Sequence, residues 1–232
     1  MKHFALVCFA TFLILPTASA ADAVNCRKLF AVSYEPEPGN DYLRSAEEAY
    51  RDCRSDKLPM DIRIEAYVRY ADVKLVQGET QTGIGVYRDA LGVLDSSNGA
   101  NSALTIDLLD RLARAENSAH LSSDALTHAR RALDMRTVQY GPESTETALG
   151  LARLGMAYVD QREYVNADRF IRDAIRVAGK SCGPSCDALS EAYAAMSVWY
   201  GDQGKEAEAA RYSELSIAAI PLAPSRKSTR KE

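Results

Sequence analysis

The segment Leu151-Ala152-Arg153-Leu154-Gly155-Met156-Ala157-Tyr158 decides how this chain folds, together with the turn Asp160-Gln161 and the trailing set Ala167, Ile171 and Ala174. Leu151, Leu154, Gly155 and Tyr158 stand at i, i+3, i+4 and i+7, the spacing of one face of an α-helix. Ala167, Ile171 and Ala174 repeat that spacing after the turn. The segment predicts two amphipathic helices joined by a short connection.

Displaced by 42 residues, the pattern recurs. Tyr140-Gly141-Pro142 falls on Cys182-Gly183-Pro184 downstream and on Asn98-Gly99-Ala100 upstream. Leu151, Leu154, Gly155 and Tyr158 fall on Tyr193, Met196, Ser197 and Tyr200, and Asp160-Gln161 falls on Asp202-Gln203. Ala167, Ile171 and Ala174 meet Ala209, Ser213 and Ser216 downstream and Ala125, Ala129 and Ala132 upstream, with Gly83, Tyr87 and Ala90 one step further back. Such self-similarity marks a repeat architecture. The connection within each pair carries Gly78, His120, Arg162 or Gly204. Glycine ends a helix cheaply through its left-handed conformation, whereas His120 and Arg162 must tolerate or avoid that conformation. A lone helix pair cannot bury its apolar face, so neighbouring pairs must stack to make a core. The expected fold is all-α, a right-handed α-solenoid of stacked antiparallel helix pairs.

Leu154-Gly155, Tyr158, Ala167, Ile171 and Ala174 resemble the pattern of the tetratricopeptide repeat (TPR) family. The 42-residue period and Tyr140-Gly141-Pro142-Glu143 before Thr147-Ala148 resemble its longer, kinesin-light-chain type. The resemblance covers residues 64 to 220. It departs from the family in lacking the first-helix Trp and in placing His120 and Arg162 where glycine is usual.

In that family the first helices of successive units line a concave face. By register the resemblance places there Glu65, Val68 and Asp72; Asp107, Asp110, Arg114 and Asn117; Leu149, Ala152, Met156 and Asp160; and Glu191, Ala194, Val198 and Asp202. This set lacks the Lys and Asn combination with which some members clamp a peptide carboxylate. It implies a protein or peptide partner with a basic or mixed basic and apolar segment, held by rim acids and an apolar strip around Leu149, Ala152 and Met156.

Outward from the repeat, Lys2 and His3 precede the apolar run Phe4 to Leu15, then Pro16 and Ala18-Ser19-Ala20. That order predicts a signal peptide, residues 1–20, cleaved after Ala20. The run is shorter than the roughly 20 residues a membrane span needs, and no other long apolar run follows. A periplasmic or secreted protein is expected, with no integral membrane segment after cleavage. Residues 21–60 read as a degenerate N-terminal helical unit, because Ala46, Tyr50 and Cys53 have second-helix spacing and residues 35–40 have turn composition. Cys26 and Cys53 would lie on its two arms, either bridged or as buried thiols. The repeat domain is expected over 61–220, and 221–232 reads as a disordered basic tail.

With 47% hydrophobic and 26% charged residues, 13 Gly and 8 Pro among 232, collagenous and low-complexity classes are excluded. A net charge of −4 argues against a nucleic-acid partner. Beyond the signal segment only His120 and His128 remain, without a second metal ligand at recognisable spacing, so neither metal nor cofactor is expected. Cys182-Gly183-Pro184-Ser185-Cys186 is one residue too long for the redox Cys-x-x-Cys. A local structural disulfide is the leading reading, against free thiols or cross-pairing. Asp107, Asp110, Asp160, Glu191 and Asp202 could suggest a glycosidase pair, but the repeat register accounts for them. The expected function is a non-enzymatic scaffold that binds a protein segment in its groove. The alternative is an accessory subunit of an envelope assembly or polysaccharide enzyme complex, acting through its convex face or tail.

Overall fold

Ten helices occupy the described residues 18–31, 40–97 and 102–221 of the computed structural model, and no strand is found among them. Residues 1–17 of the expected signal peptide 1–20, residues 35–39 of the expected turn 35–40, Asn98-Gly99-Ala100 and residues 222–232 of the expected tail 221–232 lie outside the described residues. The helices are α1 Ala18–Phe30, α2 Asn40–Asp52, α3 Met60–Val76, α4 Thr80–Asp95, α5 Ser102–Ser118, α6 Ser122–Tyr140, α7 Thr145–Asp160, α8 Tyr164–Ser181, α9 Asp187–Gly201 and α10 Glu206–Ala218. The second helices of the pairs start at Thr80, Ser122, Tyr164 and Glu206, each 42 residues after the last. The sequence period is thus the period of the helices.

The four intra-pair connections from α3 to α10 share one backbone solution. Gly78, His120, Arg162 and Gly204 have φ of 80°, 58°, 60° and 70°, so His120 and Arg162 tolerate the left-handed conformation. The N–H of each of these residues donates to the carbonyl three residues back, and the next N–H reaches five back, as in Leu121 to Glu116 at 2.8 Å and Glu163 to Tyr158 at 2.9 Å. That pair of bonds satisfies carbonyls the helix end would otherwise orphan. Leaving the αL region would break both bonds, so the strain of the non-glycine residues is held in place by the turn.

The chain divides into two compact units, residues 1–73 and 74–232, with the boundary inside α3. In the N-terminal unit Tyr42, Ser45, Ala46, Ala49 and Cys53 are buried at i, i+3, i+4, i+7 and i+11, which gives α2 its apolar face. Cys26 and Cys53 lie at disulfide distance, with Cα atoms 5.9 Å apart, among Ala49, Leu58, Ile62 and Ala66. Arg69 donates to the Phe30 carbonyl at 2.8 Å and so ties the end of α1 to α3.

In the C-terminal unit small residues set the helix spacing. Ala125, Ala132, Ala167 and Ala174 are fully buried. Gly155 faces Ile171, where an added Cβ would fall 2.5 Å from Cγ1 and 3.2 Å from the backbone nitrogen. The glycine therefore fixes how closely α7 approaches α8. The last pair differs. Ser213 and Ser216 occupy the places of Ile171 and Ala174, and α10 has no buried residue. Hydroxyls and one aromatic ring join it to α9: Ser197 donates to the Ala209 carbonyl at 2.7 Å, Ser190 to the Ser216 carbonyl at 2.9 Å, and Tyr212 stacks on Tyr200 with ring centres 5.4 Å apart. Cys182 and Cys186 lie at disulfide distance in the α8–α9 loop, with Cα atoms 6.1 Å apart. No helix among the described residues is long and apolar enough to cross a membrane.

Candidate peptide-binding groove

The first helices α5, α7 and α9 lie side by side, α7 packing against both α5 and α9. Side chains that recur along them therefore form successive layers across one face of the C-terminal unit. The innermost polar layer is an ion-paired wall. Asp110, only 4% exposed, accepts from Arg136 of α6 and from Arg153 of α7. Arg153 also donates from Nε to Glu191 of α9 at 2.9 Å. Burial opposes the Arg153 charge, but the carboxylates of Asp110 and Glu191 outweigh it and hold its pKa above the ordinary arginine value. Two carboxylates and two guanidinium groups neutralise one another across four helices.

Beside this wall a cavity of about 110 Å³ opens between the three first helices. Ala113, Ala129, Ala157 and Ala195 form its floor, Met156 and Ala194 its apolar lip, and Arg114 and Asn117 its polar edge. The cavity exists because four facing positions hold methyl groups where leucines would close the gap. Arg114 is exposed and makes no ion pair among the described residues. The Asn117 Oδ1 is buried without a hydrogen-bond partner there, an arrangement that leaves an acceptor to be satisfied.

Asn117 also borders a second hollow of about 230 Å³, lined with Ser118, His120, Ser122 and Asp160. Here the charges are not balanced. Asp160 and Asp202 are exposed; partial desolvation and then the nearby Asp202 carboxylate push the Asp160 pKa above the ordinary carboxylate value. Neither acid has a cation bonded to it among the described residues.

The structure brings together Asp110, Arg114, Asn117, Met156 and Glu191 at the first cavity, and Asn117 and Asp160 at the second. Val198, 43% exposed, and Asp202 follow on the end of α9 and the turn after it. Asp107 is exposed and pairs with Arg111 at 2.8 Å. Ala152 is buried against Ala174 and Ala192, and Leu149 packs on the cluster of Val177, Ala178 and Leu189, so both serve the core. Asp72 is half-buried and belongs to the N-terminal unit. Sequence reasoning missed Arg153, which joins α5 to α9. A signal existed: it is the single basic residue in α7, flanked by the apolar run Leu149 to Val159, and a lone cation among apolar residues needs a partner.

The two histidines sit apart. His120 is exposed at its turn, while His128 Nδ1 lies 2.7 Å from the fully buried Glu116, which also accepts from Arg88 at 2.8 Å. That network links α4, α5 and α6. Among the described residues no three His, Cys, Asp or Glu side chains converge as metal ligands would.

No protein-family model matches the chain, and no curated protein matches it either. Solved structures do. BtubC (BKLC) from P. vanneervenii is similar at a TM-score of 0.59 and 18% identity, over 88% of this chain and 74% of that one. A Podosopora anserina putative kinesin light chain with nearly identical TPR-like repeats gives 0.61 and 12%, over 86% and 93%. The apo form of RapI gives 0.59 and 13%, over 77% of this chain and 48% of that one. With its 42-residue helix pairs and these neighbours, the chain has the all-α fold of the TPR-like helical repeats.

Proposed function

We propose that this chain is an exported, non-enzymatic scaffold that holds a segment of a partner protein in the groove between α5, α7 and α9. The observation that carries the reading is the cavity bordered by three successive first helices, with a methyl-lined floor beside a self-neutralised ionic wall. An apolar floor offers burial to a side chain from outside, at about 25 cal/mol per Å² removed from water. The ionic wall keeps the groove open and its helices in register. Docking an extended or helical segment on such a surface needs little rearrangement of the scaffold. Export is supported by the apolar leader ending at Ala18-Ser19-Ala20 and by two cysteine pairs at disulfide distance, a state suited to an oxidising compartment. The protein would then act in the periplasm or outside the cell.

The test is affinity capture from the native exported fraction with wild-type bait and with Ala194→Trp. Ala194 lies on the lip and is half-buried, so the indole fills the cavity mouth without entering the core. Loss of the captured protein from the variant alone supports groove binding. Equal capture contradicts it.

The accessory-subunit reading is favoured by one observation, an open hollow of about 510 Å³ along α6, lined by Leu126, Arg130, Met135 and Gln161. Under that reading Met135→Glu abolishes capture and Ala194→Trp does not.

A further inference from the structure

The buried anchor of the last helix sits beside a cysteine pair. Among the described residues α10 packs against α9 and no other helix, and no residue within it is buried. Just past its end Ala219, 1% exposed, enters the cluster of Ala148, Val177, Ala178, Ala188 and Leu189. Cys182 and Cys186 pack against that same cluster, and between them Ser185 donates from Oγ to the Ile220 carbonyl at 3.4 Å. The loop 182–186 thus completes the seat of Ala219 and grips the residue after it. Cys182 caps the end of α8 and Cys186 the start of α9, so a bond between them fixes how the loop leaves one helix and enters the other. Pro184 and Ser185 are exposed, which leaves the loop open to a reagent from solvent.

We infer that the Cys182–Cys186 bridge is a redox-sensitive clasp on α10. Oxidised, it holds the helix docked; reduced, it releases the helix and bares the Tyr193 and Tyr200 rings of α9 that Tyr212 contacts. The reductant is a dithiol of the thiol–disulfide exchange class. Its thiolate attacks Cys186 Sγ, the bond between the two sulfurs breaks, and Cys182 leaves as a thiolate that takes up a proton. Cys182 Sγ lies 3.2 Å from the Ala178 carbonyl, so the new thiol has an acceptor in place. The second thiolate of the reductant then attacks the mixed disulfide. Cys186 is released and protonated, the reductant ends as a disulfide, and two electrons and two protons have passed to the bridge. Losing the bond returns freedom to a loop that holds Gly183 at φ of 76°, and the Ser185 bond and the wall beside Ala219 go with it. Because so short a loop constrains the unfolded chain little, the effect stays local: α10 opens while α7 to α9 keep their packing. Redox state thereby sets which surface the C-terminal end of the repeat domain offers.

The experiment is amide hydrogen exchange read by mass spectrometry on the full chain without its first twenty residues. Relative to the oxidised chain, dithiothreitol should speed exchange in residues 206–218 by roughly tenfold or more, leave α7 and α8 unchanged, and be reversed by reoxidation. Cys182→Ser, Cys186→Ser should show the fast exchange in α10 without any reductant. Cys26→Ser, Cys53→Ser should still respond to dithiothreitol, which assigns the effect to the C-terminal pair. Exchange in α10 that is equally slow or equally fast in both redox states overturns the clasp. Acceleration spread evenly over α7 to α9 overturns it in favour of a bridge that stabilises the whole unit. Alkylation of Cys182 and Cys186 before any reductant is added shows that no bridge forms, and it overturns the clasp as well. The groove reading stands or falls separately, on capture by Ala194→Trp.

Discussion

The two ends of the groove use the same residue type for opposite purposes. At one end Asp110 is buried, satisfied by Arg136 and Arg153, and joined through Arg153 to Glu191. At the other, partial desolvation and the nearby Asp202 carboxylate raise the Asp160 pKa, and neither acid has a cation bonded to it among the described residues. The first arrangement is finished within the chain. The second lies at a separate hollow, beside Ser118, His120 and Ser122. Acidity alone thus does not mark a binding surface.

The largest effect that would break this comparison is at the finished end. Asp110→Ala leaves the buried Arg136 without a counter-charge and should cost about 3–5 kcal/mol in urea unfolding. A loss below about 1 kcal/mol would mean that water already relieves the pair. Next, Gly155→Ala drives a Cβ into Ile171 and should cost about 1–3 kcal/mol, because overpacking forces the helices apart. Its ligand affinity should fall as well, since α7 forms the middle of the groove.

The open end should respond in the reverse sense. Asp160→Asn, Asp202→Asn is expected to leave the melting temperature unchanged or slightly higher. The pH dependence has a definite sign. A carboxyl whose folded-state pKa is raised binds its proton more readily folded than unfolded, so its penalty is present at neutral pH. The penalty disappears as pH falls through the raised value to the ordinary unfolded one. Asp160→Asn should remove that part of the stability–pH curve, and thermal melts across this interval check it. Because Asp160 is partly solvated, screening keeps the effect small.

The smallest effects belong to the turns. Arg162→Gly and His120→Gly should each stabilise by under about 1 kcal/mol, the relief of αL strain being partly cancelled by the greater freedom of unfolded glycine. Gly78→Ala should destabilise by a comparable amount, since φ is 80° there.

Much of the fold was legible in the residues because local rules and the period agree. The four turn positions, 42 residues apart, all take the left-handed conformation, and Gly83, Tyr87 and Ala90 are buried as Ala167, Ile171 and Ala174 are. The alignment of Ser213 and Ser216 with Ile171 and Ala174 concealed the loss of buried apolar side chains on α10, because a matching register does not fix the chemistry of the residue that fills it. The groove was less legible for the same reason. Register placed Asp110 and Asp160 on one face, but only the approach of Arg136 from a second helix and of Arg153 from its neighbour distinguishes them. Ala152 likewise was expected in the groove and is buried between α8 and α9, because a small residue at an inward position lets those helices close over it.

The most direct test of groove binding is photo-crosslinking in the native cells, with a photoreactive amino acid placed at position 194 on the cavity lip or at position 138 on the exposed surface of α6. Val138 is 89% exposed, so substitution there leaves the core untouched. The account predicts a discrete crosslinked polypeptide from position 194 and none from position 138. Crosslinks from 138 without any from 194 would contradict it.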